Sequence, residues 1–101
     1  MADWPHVALT SAERQQIKGD YLATEGRTVS NGAVDQMATW SDQATSPLER
    51  SALLQRSGMS GDLPSKVTTA HITRFKAAGP SVTSDDALAV HVLCWRQRRS
   101  G

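Results

Sequence analysis

The chain has 101 residues, a formal net charge of +1 and a single cysteine. Its length fits one domain, a single cysteine excludes an internal disulfide framework, and no run approaches the roughly 20 apolar residues that span a bilayer. The first residues lack the basic start and long apolar run of a signal peptide, so we expect a cytoplasmic protein with no membrane partner.

The N-terminal segment, residues 1–9, reads MADWPHVAL. Proline disfavours a helical conformation at the residue before it, here Trp4, so we expect an extended arm. Thr10 and Glu13 then have the spacing of a capping box, in which each side chain bonds the backbone of the other residue. They predict a first helix that runs to about Glu25 and stops at the glycine after it.

Two further helices are predicted in the middle of the chain. Ser30 is a candidate N-cap for a second helix that ends near Trp40 or Asp42. The third has the clearest local signal, SPLE at 46–49, with a capping serine, proline at the first helical position and glutamate at the third. We expect this helix to end at a left-handed Gly58.

Residues 65–78 predict a fourth helix, which the following Gly-Pro pair stops. Their β-branched residues are typical of strands, so a strand is the alternative. Residues 84–99, SDDALAVHVLCWRQRR, predict a fifth helix with Ser84 as N-cap, acids at its positive end and arginines at its negative end. Its wide apolar face implies burial on most sides, with the side of His91 and Arg98 left for water.

These elements predict an all-α fold, a compact orthogonal bundle of about five short helices with an extended N-terminal arm. We expect one domain over residues 1–101, in which residues 97–101 form a frayed basic tail.

The residue types for metal or covalent chemistry are sparse. His91 and Cys94 lie three residues apart on one helix face, and with His71 they would supply three of the usual zinc ligands. The sequence holds no CxxC pair and no HExxH motif, and a buried free cysteine packs as a small apolar residue. We therefore expect no metal, no cofactor, no catalytic residue and no enzymatic activity.

The charge is unevenly spread along the chain. Residues 1–46 hold three basic and six acidic residues, a net charge of −3, whereas residues 47–101 hold eight basic and four acidic residues, a net charge of +4. Such asymmetry indicates an anionic partner, and we expect a small regulatory protein that binds nucleic acid. The basic fourth helix with the C-terminal arginines would form one surface. A second reading is the stretch 22–37, which looks loosely like a helix-turn-helix with polar residues facing outward. The candidate contacts are Lys66, Thr69, Thr73, Arg74, Lys76, Arg96, Arg98, Arg99, Ser30, Asn31 and Gln36.

The alternative is a protein-interaction module. Tryptophan and arginine are enriched at binding hot spots, and Trp4 and Trp95 lie near the two ends of the chain, where partial exposure is expected. A homodimer formed through the last helix would also explain why that helix is apolar on nearly every side.

Overall fold

The structure, a computed structural model, describes residues 8–59, 65–82 and 85–100, with side chains described as far as residue 97. The helices in these residues are α1 (Ser11–Glu25), α2 (Asn31–Ala44), α3 (Pro47–Arg56), α4 (Thr69–Ala78) and α5 (Asp86–Ser100). The described part of the chain contains no strand, so the predicted all-α bundle of about five short helices is confirmed. Most of the predicted arm, including Trp4, and the predicted cap Ser84 lie outside the described residues.

Local hydrogen bonds at the helix ends explain why α1 and α3 begin and end where they do. Thr10 and Glu13 form the predicted capping box of α1, and Ser46 and Glu49 form that of α3. At the end of α3, Gly58 has a φ of 81°. The next N–H, that of residue 59, reaches back to the carbonyl of residue 54 over 2.9 Å, which completes a Schellman motif.

The fourth helix begins four residues later than the sequence predicted. Residues 65–68 have no regular secondary structure. Thr68 has an extended backbone and is the N-cap of α4, in a capping box whose N3 residue is His71 rather than a glutamate. Val67 is buried, and its N–H donates to the Oε2 of Glu25 over 2.8 Å. Residues 65–68, called the strap below, therefore tie the start of α4 to the end of α1.

α5 is the central helix. Seven consecutive residues, 88–94, are buried, and α5 packs on each of the other four helices. Within the described chain, α1 packs on α2 and α3 on α4, while neither pair brings its helix backbone close to the other pair. α5 thus lies between two helix pairs, which confirms its predicted burial on most sides.

The expectation that His91 faces water is wrong, because α1 supplies polar partners in the interior. Only 1 % of His91 is exposed, and its Nε2 lies 3.1 Å from the Oε2 of Glu25 and 3.2 Å from the Oγ1 of Thr24. The Thr24 hydroxyl donates to the carbonyl of residue 20. The single Nε2–H of His91 therefore lies between two acceptors, the Glu25 carboxylate and the Thr24 hydroxyl, and is shared by them.

A polar clamp joins α1 to the start of α5. The Tyr21 hydroxyl donates to the Oδ2 of Asp85 over 2.5 Å, and Arg27 bonds both the Tyr21 hydroxyl and the Asp85 carboxylate. Asp85 also accepts from the N–H of Leu88, the capping role that the sequence assigned to the residue before it. Burial acts to raise the pKa of Asp85, but the bonds from Tyr21 and Leu88 and the charge of Arg27 outweigh it and lower that pKa.

Gly58 and Gly19 have different backbone conformations, so we expect alanine at the two positions to change the free energy of unfolding in opposite directions. Gly58→Ala forces a left-handed conformation on a Cβ-bearing residue and should lower the free energy of unfolding by about 1–2 kcal/mol. Gly19→Ala is the matched control: it lies inside α1 with no atom within 4 Å of the added Cβ, and it should raise the free energy of unfolding by up to about 1 kcal/mol. Urea denaturation measures both, and a loss of stability in Gly19→Ala would contradict the open surface.

The clamp predicts a pH-dependent effect of Tyr21→Phe. At pH 7 the variant should lose about 1–2 kcal/mol of unfolding free energy, because a hydrogen bond to a charged carboxylate is removed. A lowered folded-state pKa means that this stabilisation is present above the ordinary carboxyl pKa and is lost as pH falls through the lowered value. Denaturation at a series of pH values should show the gap between variant and wild type closing toward acid pH; a constant gap would mean that the hydroxyl acts through another group.

Candidate nucleic-acid interface

The outer face of α4 is an exposed half-cylinder. Its members are Thr69, Ala70, Thr73, Arg74, Lys76 and Ala77. At about 100° of rotation per residue, they cover an arc of roughly 160° centred opposite Phe75, which is 1 % exposed and faces the core. Threonine and alanine occupy the middle of the arc and the two cations occupy its edges, and none of the six residues is acidic.

Each of the two cations on this face has a defined neighbour. Lys76 Nζ lies 3.1 Å from the Oδ2 of Asp86, with 64 % of the lysine side chain exposed. The Arg74 guanidinium lies against the C-terminal turn of α3, where a Cβ on Gly58 would come within 2.8 Å of its Nη1. The negative end of the α3 dipole favours a cation at that position.

Two further exposed cations lie on the segments that lead into and flank α4. Lys66 is exposed on the strap, and Arg56 is exposed in the last turn of α3. Sequence reasoning missed Arg56, although a cation in the last turn before a Schellman glycine was visible in the pattern. The described acid of α3 is Glu49 at the opposite end of that helix, where hydrogen bonds from the backbone and side chain of Ser46 lower its pKa.

Arg96 lies inside the protein and not on this surface. Asp42 accepts from Arg50 over 2.9 Å with Oδ1 and from Arg96 over 3.1 Å with Oδ2, and the three side chains are only 5–6 % exposed. Burial is the main reason that the pKa of Arg50 is lowered; Asp42 opposes it and the like charge of Arg96 adds to it. We call these residues the Asp42 triad. The side chains of Arg98 and Arg99 lie outside the described residues.

The stretch that looks like a helix-turn-helix has apolar residues on its inner side. Val34 and Met37 are buried, and Val29 packs against the core. Ser30 serves as the N-cap of α2 by accepting from the N–H of residue 33, and Asn31 accepts from a lysine of α1 over 2.9 Å.

The outward surface of α2 is polar and carries no cation of its own. Gly32, Gln36 and Gln43 are exposed along it, and no described residue of α2 is lysine or arginine. The neighbouring charge is Asp35, which pairs with Arg14 of α1 over 3.0 Å. The cations next to α2 are therefore supplied by α1, from Arg14 and Lys18.

Both described tryptophans are partly buried and bonded within the chain. The Nε1 of Trp95 donates to Asp20 over 3.1 Å, and that of Trp40 donates to the carbonyl of Ser81 over 3.1 Å. Trp40 also meets the ring of Phe75 edge-on. The apolar sides of α5 are covered by the other helices.

The residues considered for metal chemistry do not meet. Cys94 is buried, His91 bonds Glu25, and His71 belongs to the capping box of α4. Across the described ranges, no three histidine, cysteine or acidic residues are grouped to hold a metal ion. No helix in those ranges has both the length and the apolarity to cross a membrane.

Comparison of the chain with models of protein families, with curated proteins and with solved structures found no match.

Because of the Asp42 triad, we expect alanine substitution of two aspartates on α2 to lower the free energy of unfolding by unequal amounts. Asp42→Ala leaves two arginines buried without their carboxylate and should lower the free energy of unfolding by about 3–5 kcal/mol. Asp35→Ala removes the exposed partner of Arg14 and should cost no more than about 1 kcal/mol. Urea denaturation of the two variants checks the prediction, and equal losses would contradict the structural role of the triad.

Proposed function

We propose that the chain is a small, non-enzymatic regulatory protein of the cytoplasm that binds nucleic acid through the outer face of α4. The observation that carries this proposal is an exposed helical face with cations at both edges and no acidic residue. Two further exposed cations lie on the flanking segments, Arg56 on α3 and Lys66 on the strap.

Phosphate groups suit this surface for an electrostatic reason. When a protein cation binds a phosphate, it releases the counterions held there, and this release adds affinity for any nucleic-acid sequence. Threonine hydroxyls such as that of Thr69 can also bond phosphate oxygens. Lys76 is available despite its pairing with Asp86, because 64 % of its side chain is exposed and its ammonium has three N–H donors.

The helix-turn-helix-like stretch supports binding less well than α4 does. The basic residues of the chain before α3 already have partners within it: Arg14 bonds Asp35, Lys18 bonds Asn31, and the arginine that follows α1 belongs to the clamp. Lys18 places one positive charge beside Asn31, but the half-exposed carboxylate of Asp35 on the same helix would repel a polyanion.

A protein-binding role through Trp95 and α5 has less support. The indole N–H of Trp95 is already bonded to Asp20, and α5 is enclosed by α1 to α4. No wide apolar face of α5 is left in the described chain for a second copy to cover.

The proposal predicts a position-dependent loss of affinity. The double variant Arg74→Gln/Lys76→Gln removes two phosphate contacts. It should weaken binding of fluorescently labelled nucleic acid by about 10-fold or more in dilute salt. The slope of log K against the logarithm of the salt concentration should become shallower by about 1.8. Fluorescence anisotropy titrations at several salt concentrations measure both quantities.

Arg14→Gln/Lys18→Gln is the matched control, since it removes the same charge from α1. It should keep most of the affinity and nearly the full salt slope. Equal weakening by the two double variants would assign binding to net charge rather than to α4. Absence of binding by the wild-type protein in dilute salt would overturn the proposal.

A further inference from the structure

We infer that the ligand of α4 is double-helical DNA, with α4 lying in the major groove; this inference rests on the proposed function. It depends on the arrangement of small and charged side chains around one helix, and on the aromatic side chains of the same region.

The middle of the outer face of α4 is made of short side chains. Thr69, Ala70, Thr73 and Ala77 form a ridge between the two cations. The major groove of B-form DNA is about 12 Å wide, and an α-helix with its side chains is about 10–12 Å across. Short side chains on the leading ridge allow the helix backbone to approach the floor of the groove, where longer ones would hold it away.

The cations are placed for the two rims of a groove. Arg74 and Lys76 are separated by about 160° around the helix axis at the α-helical rotation per residue, so they lie on opposite flanks of the ridge. A groove of duplex DNA is bordered by two phosphate backbones. A helix seated in it can therefore bring Arg74 to one backbone and Lys76 to the other, whereas a single strand offers only one.

The aromatic residues near α4 do not form a platform for unstacked bases. Proteins that hold single strands stack successive bases on exposed aromatic side chains. Phe75 faces the core, and the indole of Trp40 is engaged by Phe75 and Ser81. Of the described residues, no tryptophan, tyrosine or phenylalanine is exposed. Double-stranded RNA fits less well, because its major groove is too narrow for side chains to read.

The experiment compares three labelled probes of equal length and sequence: a DNA duplex, one of its single strands and the corresponding RNA duplex. Anisotropy titrations with the full chain in dilute salt should give a dissociation constant for the DNA duplex that is at least about 10-fold lower than for the other two probes.

A charge-neutral variant tests the position of α4. Thr73→Leu/Ala77→Leu thickens the ridge and leaves every cation in place, so it should weaken duplex binding by about 10-fold while the salt slope is unchanged, as phosphate contacts set that slope. Ala12→Leu, on the exposed side of α1, is the matched control and should bind as the wild type does. Thermal denaturation of each variant verifies that the fold is retained.

The outcomes separate the two proposals. Binding of the single strand or the RNA duplex as tight as that of the DNA duplex would overturn the inference and leave the proposed function standing. Full duplex affinity in Thr73→Leu/Ala77→Leu would also overturn it. Absence of binding to all three probes would overturn the proposed function itself.

Discussion

The carboxylate of Asp42 is the interaction on which the arrangement of α2, α3 and α5 depends. Each of its oxygens bonds a different buried arginine, one from α3 and one from α5. Buried charges cost several kcal/mol each unless they are paired with good geometry. Sliding any of these helices by a turn would therefore leave at least one charge buried without a partner. The fixed position of α3 then sets the position of Gly58, against which Arg74 of α4 lies.

A second anchor holds the other end of α4. The N–H of Val67 bonds Glu25, and the same carboxylate oxygen lies within 3.1 Å of the Nε2 of His91. α1, the strap and α5 thus meet at one buried acceptor. Two anchors of different kinds, a Schellman turn and a buried carboxylate, fix α4 in the free protein. A binding surface that is rigid beforehand loses less conformational entropy when its ligand arrives.

The sequence predicted the helix ends, which short-range hydrogen bonds determine. It did not predict the buried polar side chains, whose partners are distant in the chain. Capping residues act within three or four positions, so Thr10, Ser46 and Gly58 were readable from the pattern alone. Arg96 was expected on the surface because its carboxylate partner is 54 residues away in the chain, and His91 was misplaced because Glu25 is 66 residues away. The same division holds for the candidate interface: the residues exposed on α4 follow from its periodicity, while the position of Arg56 next to α4 depends on how α3 packs on α4.

The central position of α5 has a consequence for the order of folding. α5 follows all four of the helices that pack on it, so a nascent chain that has reached only α4 can form two separate helix pairs but lacks the element that joins them. Contacts between segments far apart in sequence slow folding, and here they link the first helix to the last. During translation, α1 to α4 are therefore expected to expose their apolar sides to the ribosome surface and to chaperones until α5 emerges and inserts between the two helix pairs.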